Sequence, residues 1–242
     1  MSQLTRREFT GSMMNSVLAY GLIDALWSQN LLAAEVKPVI DQWFKDLYSV
    51  GEDLHGQKME DLFRKVDLTE LMKFIDLSGI KERVDIPANG AYSASFDLSK
   101  VEGLPKELNF GRQIFCLQKD RAVVPHGHSN MCTGFIVLEG AFHGKHYDKL
   151  ETGEDHYIIK STIDDQFGAG GVSTISDHKD NVHWFRCTSE TGFIFNAHFD
   201  GYASDITTPT GRLYLDPEGE KLAGGLIKAP KMTYESSHAK YG

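Results

Sequence analysis

The chain has 242 residues, a length typical of one domain or of one domain with a small appendage. It carries 25 Lys and Arg residues against 34 Asp and Glu residues, which gives a formal net charge of −9. This acidic balance argues against nucleic acid or an anionic membrane as the main partner. Hydrophobic residues make up 41% of the chain, enough for a sizeable core, and no run of about 18 apolar residues indicates a membrane-spanning helix.

The first ten residues carry an arginine pair in a distinctive setting. Residues 5–10 read Thr-Arg-Arg-Glu-Phe-Thr and resemble the core of a twin-arginine export signal, Ser/Thr-Arg-Arg-x-Phe. A mildly apolar stretch, 13–32, follows, and Ala33-Ala34 is a candidate cleavage neighbourhood. The resemblance implies a signal segment over residues 1–34 and a periplasmic protein. The alternative is a cytoplasmic protein that begins with an amphipathic helix.

Residues 35–84 are predicted to be helical. Apolar residues recur at spacings of three and four over 36–48, and a second helical stretch begins near Lys58. Asp67, followed three residues later by Glu70, has the pattern of a capping box that starts a further helix. Gly79 is expected to end that helix.

The pattern changes after about residue 84, where short β-branched or aromatic runs alternate with turn residues. Eight strands are predicted, near 112–118, 133–139, 141–147, 156–162, 171–176, 182–187, 192–199 and 212–215. This number favours a sandwich or jelly roll over alternating β/α units. The sequence therefore predicts a mainly β protein with a barrel over 85–215 and a loosely packed C-terminal tail over 216–242.

One pair of histidines stands out within the predicted barrel. His126 and His128 occupy alternate positions, so in an extended strand both side chains point to the same side. Two imidazoles on one face suit a metal such as Fe, Ni, Cu, Mn or Zn. The spacing alone is a weak signal, because two surface histidines at a turn would show the same pattern.

The surrounding residues, 125–140, resemble the first motif of the cupin superfamily, in which His-x-His is followed by a Glu and, seven positions later, a Gly. Here Gly140 lies seven residues after Thr133, and Thr133 lies five residues after His128. The spacing is kept, but Thr133 stands where the family usually has its Glu ligand. The resemblance implies a cupin jelly-roll barrel preceded by a short α-helical N-terminal segment.

A later segment resembles the second cupin motif, which supplies one more histidine. In residues 171–185 that histidine is His183, although Asp180 replaces a Gly and the usual Pro is absent. The resemblance therefore implies a metal held by His126, His128 and His183. A cupin that has lost its metal is the alternative.

Loss of the Glu ligand has a chemical consequence. Three neutral histidines leave a divalent metal its full 2+ charge and free a coordination position. Such a site suits an anionic ligand such as a thiolate together with dioxygen, and it resembles the thiol dioxygenases among the three-histidine cupins. This resemblance implies Fe(II), with Zn, Mn or Ni as alternatives, and a small thiol plus dioxygen as substrates. The Cys–Tyr crosslink of cysteine dioxygenase is not expected, because Thr133 occupies the matching position.

Further residues are candidates for the same pocket. Thr133 and Tyr147 are the candidate catalytic residues beside the metal. His143 and Lys145 lie on the same strand face as Tyr147 and are candidate substrate-binding residues, although solvated strand residues would show the same alternation. Cys187 should point inward by strand alternation and is also a substrate-binding candidate, although such a cysteine is more often a small core residue than a ligand.

The predicted function is a metal-dependent cupin oxygenase. One alternative is a non-redox metal cupin, an isomerase, lyase or hydrolase, in which the metal acts as a Lewis acid. Another is a non-catalytic cupin that binds a ligand. The absence of a helix-turn-helix pattern or basic patch disfavours a nucleic-acid partner. Cupins often dimerise through strand edges, so the resemblance leaves a homodimer open.

Overall fold

The computed structural model describes residues 33–50, 56–177, 179–201 and 210–242. Residues 5–32, which carry the twin-arginine pattern and the apolar stretch behind it, lie outside this part of the chain, so the export signal stays a prediction. Among the described residues, no helix has the length and apolar character needed to cross a membrane.

The helical region that the sequence predicts before the barrel is present. Its described helices are α1 (Ala33–Ser49), α2 (Gly56–Arg64), α3 (Leu68–Phe74) and α4 (Leu77–Arg83). These helices cover one outer face of the β-structure rather than forming a separate bundle.

Two aspartates fix where helices α3 and α4 begin. The Asp67 carboxylate accepts hydrogen bonds from the backbone N–H groups of Thr69 and Glu70, so α3 begins where the sequence predicts. The expectation that Gly79 ends this helix is wrong. Asp76 starts α4 instead, and its carboxylate accepts the Gly79 N–H inside the new first turn.

The rest of the fold is built from strands. Those in the described residues are β1 (Ala91–Ala94), β2 (Gly111–Gln118), β3 (Ala122–Ser129), β4 (Met131–Glu139), β5 (Ala141–Thr152), β6 (His156–Gly168), β7 (Val172–Ile175), β8 (Val182–Cys187), β9 (Thr191–Asp200), β10 (Gly211–Leu215), β11 (Glu220–Lys221) and β12 (Leu226–Met232). All eight predicted strands are among them.

The strands form two antiparallel sheets. One has the order β1-β2-β9-β4-β7, and the other has the order β10-β3-β8-β5-β6-β12-β11. Strand β12 also pairs with β10, so six strands of the larger sheet form a closed circuit. The prediction of a mainly β, jelly-roll barrel behind a helical segment is confirmed.

Strand alternation divides the buried apolar residues of the five-stranded sheet between two cores. Phe135 and Ile194 of the five-stranded sheet pack against Phe185 of the seven-stranded sheet, inside the barrel. Phe195, next to Ile194 on β9, points the other way and packs against Trp43 and other residues of the helices. The helices therefore cover the outer face of the five-stranded sheet, and the barrel interior remains between the two sheets.

The C-terminal residues are an ordered part of the barrel, so the expectation of a loosely packed tail over 216–242 is wrong. Strand β12 pairs with both β6 and β10, and helix α5 (Tyr234–Tyr241) follows it. The Tyr241 ring lies 4.9 Å from that of Trp184, and its hydroxyl donates to Asp216. Backbone pairing and one buried aromatic anchor this polar segment, and composition does not reveal either.

Candidate metal centre

Two neighbouring strands of the seven-stranded sheet bring three histidines together. His126 and His128 lie on β3, and His183 lies on β8 directly opposite His126. All three side chains are buried. The period-two alternation of β3 turns both of its histidines inward, and the register of β3 against β8 brings in the third.

The three imidazoles converge through the same ring atom. The Nε2 atom of His126 lies 3.0 Å from Nε2 of His183 and 3.2 Å from Nε2 of His128. The candidate ligand atoms of the three residues all lie within 4.8 Å of one another. Among the described residues, no other group of three or more His, Cys, Asp or Glu side chains meets this criterion.

These separations fit three ligands of one ion. Nitrogen atoms about 2.1 Å from a metal and about 90° apart are separated by about 3.0 Å. Nδ1 of His126 donates to the carbonyl oxygen of Val124 at 2.8 Å, which leaves its Nε2 lone pair for a metal. The three nitrogens therefore suit a transition metal, and the donor set does not by itself select which one.

Burial keeps these histidines uncharged, as metal ligation requires. It lowers the pKa of His126 to about 4, despite the hydrogen bond to Val124, which acts in the opposite direction. Burial also lowers the pKa of His128 and of His183 well below the usual range, and the neighbouring histidines add to the effect. All three imidazoles are thus neutral near pH 7 and carry an available lone pair.

Thr133 lies beside the cluster, as the sequence predicts, and contacts it through His128. The Thr133 hydroxyl oxygen lies 3.3 Å from Nδ1 of His128, and Thr133 is only 2% exposed. When Nε2 of His128 holds a metal, Nδ1 carries the proton and donates it to this oxygen. Thr133 is therefore placed to orient His128 and to fix its tautomer.

Replacing Thr133 by valine should weaken metal binding by about tenfold to hundredfold. Valine keeps the size and β-branching of threonine but removes the oxygen that accepts from Nδ1 of His128. The dissociation constant can be measured by competition with a chelator. Thr133→Ser keeps the hydroxyl and serves as the matched control, with an affinity near that of the unchanged protein. Equal affinities for the valine variant and the unchanged protein would contradict this role.

A cavity of about 270 Å³ opens beside the three histidines. Besides Thr133, the five-stranded sheet contributes Phe135 and three further polar residues to its lining, Ser93, Gln113 and Asn196. The polar residues are linked, because the Ser93 hydroxyl donates to the Gln113 carbonyl at 2.8 Å and the Gln113 amide donates to the Asn196 carbonyl at 3.2 Å. The polar part of this wall is therefore hydrogen-bonded and uncharged.

The opposite wall comes from residues that the sequence analysis did not select. Arg212 and Tyr214 of β10 lie opposite His128 and His126 of β3, and both line the cavity. Tyr234 and His238 of α5 complete the lining on this side. A strand at 212–215 is predicted from sequence, but its pairing with β3 has no local signal.

The predicted substrate residues His143 and Lys145 lie on the outer face of the seven-stranded sheet. Nε2 of His143 lies 2.5 Å from an Asp164 carboxylate oxygen, and the Lys145 ammonium lies 5.6 Å from the centre of the Trp184 ring. Neither residue lines the cavity. The pairing of β5 with β8 explains why they face outward. Lys145 lies opposite Trp184, whereas the next residue of β5, His146, lies opposite His183 and faces inward with it.

Tyr147 and Cys187 are buried, but neither is among the residues that line the cavity. A register irregularity in β5 precedes Tyr147, whose ring joins a separate core with Tyr157 and Val182. Burial raises the pKa of Tyr147 to about 12, so its hydroxyl stays protonated. Cys187 points inward as expected, but it packs in the apolar core with Phe142, and burial raises its pKa.

His146 is a buried residue that the sequence analysis did not select as a site residue. It lies opposite His183 across the β5–β8 pair, and the two ring centres are 6.4 Å apart. Nε2 of His146 lies 2.9 Å from the Ser173 hydroxyl oxygen, and burial lowers the pKa of His146 to about 3. Once His183 is assigned to the interior, strand pairing would have identified His146 as its neighbour.

Comparison with known proteins shows only structural likeness. No protein-family model matches the chain, and no curated protein matches it. A protein with a double-stranded β-helix domain from Klebsiella pneumoniae is 10% identical, with coverage of 55% of this chain and 85% of that one and a TM-score of 0.36. Oxalate oxidase in complex with the substrate analogue glycolate is 15% identical, with coverage of 53% and 56% and a TM-score of 0.35.

Procruciferin, an 11S globulin from Brassica napus, is 17% identical, with coverage of 39% of this chain and a TM-score of 0.32. The chain spans 21% of the length of procruciferin and 56% of that of oxalate oxidase. Identities and TM-scores in this range are too low to transfer an activity from any of these proteins.

Proposed function

We propose that the protein is a metal-dependent oxygenase that uses Fe(II) and dioxygen to oxidise a small thiol. The observation that carries the proposal is the composition of the cluster. Three buried, neutral histidines converge through Nε2, and Thr133 occupies the position at which the cupin motif usually supplies a carboxylate. A divalent ion held this way keeps its 2+ charge, which favours an anionic ligand such as a thiolate.

A bound Fe(II) would supply redox chemistry and the free coordination positions that a thiol and dioxygen require. His126, His128 and His183 would hold the ion, and Thr133 would orient His128. In a thiol dioxygenation, one thiol and one dioxygen give one sulfinate and one proton, so the sulfur is oxidised and both oxygen atoms are retained in the product.

The chain's own residues provide the environment for such a reaction. Phe115, Val123 and Phe135 form an apolar part of the cavity wall, which limits water around the histidines. The half-exposed Tyr234 marks the side at which the cavity meets solvent, where the released proton can pass to water. The small volume of the cavity favours a substrate of a few non-hydrogen atoms.

Oxygen uptake by protein loaded anaerobically with Fe(II) tests this function. Addition of a two-carbon thiol should start uptake of about one dioxygen per thiol consumed, with a sulfinate as the product identified by mass spectrometry. Protein loaded with Zn(II), which has no redox chemistry, is the matched control and should consume none. The absence of uptake with every thiol in a panel, at full iron loading, would overturn the proposal.

The same donor set also suits Zn(II), so Lewis-acid chemistry is the second candidate function. Turnover of a substrate by the zinc-loaded protein without dioxygen would establish that function in place of the oxygenase. Stable binding of a ligand without any product would instead identify a binding protein.

A further inference from the structure

Among the residues that the structure describes, the lining of the cavity beside the three histidines has charge of only one sign. It includes Arg212 but no Asp or Glu. The three histidines are neutral, so a divalent ion held by them would add two positive charges. The chain as a whole has a net charge of −9, so this positive cavity departs from the average of the protein.

Arg212 is close enough to the histidines to act with them on one small ligand. Its Cα lies opposite that of His128 in the β10–β3 pair, and its exposed side chain lines the cavity. Its positive charge contributes, after burial, to lowering the pKa of His126 and of His183. None of the ion pairs among the described residues involves Arg212.

The other described polar side chains of the cavity, His238 included, carry no negative charge that would pair with a cation. Ser93, Gln113 and Asn196 form the neutral hydrogen-bonded wall described above. Tyr214 and Tyr234 add hydroxyl groups on the side of Arg212, and their rings lie 5.4 Å apart. A ligand with an ammonium group would meet Arg212 and the metal charge without a carboxylate to compensate for either.

We propose that the site takes a small organic acid, and that Arg212 holds its carboxylate at the cavity mouth while the other end of the molecule reaches the three histidines. A guanidinium group matches a carboxylate with two parallel N–H···O bonds, so it selects an anion by shape as well as by charge. The inference rests on the proposed function in that it names the substrate class of the same site.

Calorimetric titration of the zinc-loaded protein under nitrogen tests the inference without turnover. The probes are two pairs of two-carbon molecules: mercaptoacetate against cysteamine, and glycolate against ethylene glycol. The acid of each pair should bind at least about tenfold more tightly than its partner, since hydrogen bonds to a charged group contribute about tenfold to hundredfold in affinity. Equal binding within both pairs would overturn the inference.

Variants of Arg212 and Arg186 test whether Arg212 causes the preference for the acids. Arg212→Gln should weaken binding of both acids by about tenfold to hundredfold and remove the preference. Arg212→Lys keeps the charge but loses the two-pronged geometry, so it should show an intermediate loss. Arg186→Gln makes the same change of charge on an exposed residue of β8 that contacts the Trp184 ring, and should leave binding unchanged. An undiminished acid preference in Arg212→Gln would contradict the assignment.

The titrations and the oxygen-uptake assay fail independently. Acid preference that depends on Arg212, without oxygen uptake by the iron-loaded protein, would refute the oxygenase while supporting an organic acid as the ligand. Oxygen uptake with cysteamine as fast as with mercaptoacetate, together with equal binding of the two, would support the oxygenase and refute the inference.

Discussion

Replacement of His183 by alanine should reduce metal affinity by about a hundredfold to a thousandfold. A four-ligand site releases about 10–16 kcal/mol on binding zinc, so one ligand contributes about 2.5–4 kcal/mol. Nε2 of His183 lies 3.0 Å from Nε2 of His126, and its removal leaves two nitrogens that cannot enclose the ion. Metal content after anaerobic loading and dialysis, measured by elemental mass spectrometry, should fall from about one ion per chain to a small fraction.

His143→Ala is the matched control for this experiment. His143 lies on β5, which pairs with β8, but its ring contacts Asp164 on the outer face of the sheet. This variant should keep its metal, and circular dichroism should show that both variants are folded. Retention of a stoichiometric ion with unchanged affinity in His183→Ala would exclude the three-histidine centre.

Replacement of Phe195 by alanine should lower the free energy of unfolding by about 3–5 kcal/mol. The Phe195 ring is fully buried, with ring centres of Trp43 at 6.1 Å and of Phe96 at 5.5 Å. Removing it leaves a cavity at the junction of the helices and the five-stranded sheet, where close-packed residues have little freedom to collapse. Chemical denaturation of the metal-free protein measures the effect.

Tyr92→Ala removes a comparable ring from β1 that is 42% exposed, and it should change stability by no more than about 0.5 kcal/mol. Phe195→Ala should also retain metal binding while folded, because Phe195 points to the helices and its neighbour Asn196 points to the cavity. A loss below about 1 kcal/mol would show that the helices do not depend on this contact.

The two histidines of β3 show which part of the metal centre the local sequence pattern predicts. The spacing of His126 and His128 predicts a shared face because alternation in a strand is a property of the backbone itself. His183 is 57 residues from His126, and no local rule connects them. The resemblance to the cupin motifs provides that connection, and the register of β3 against β8 places the two residues opposite each other.

The histidines of β5 show what the local sequence pattern cannot predict, namely which face of the strand points into the barrel. Alternation separates His143 and Lys145 from His146, but it does not say which set faces the barrel interior. The pairing of His146 with His183 decides this, and the register irregularity after His146 sends Tyr147 to a different core. The sequence analysis therefore predicted pocket residues on the face of β5 that points away from the barrel interior.

Local order along the chain determined the helical region, all eight predicted strands and the β3 histidine pair, because helix and strand periodicities act over a few residues. The position of Thr133 beside that pair was implied by the resemblance to the cupin motif. Only the tertiary structure decided which strand faces are internal and that Arg212, Tyr214, Tyr234 and His238 line the site. Those residues reach the cavity through the pairing of β10 with β3 and the anchoring of α5. Contacts between segments so far apart depend on the packing of the whole chain, which no local pattern contains.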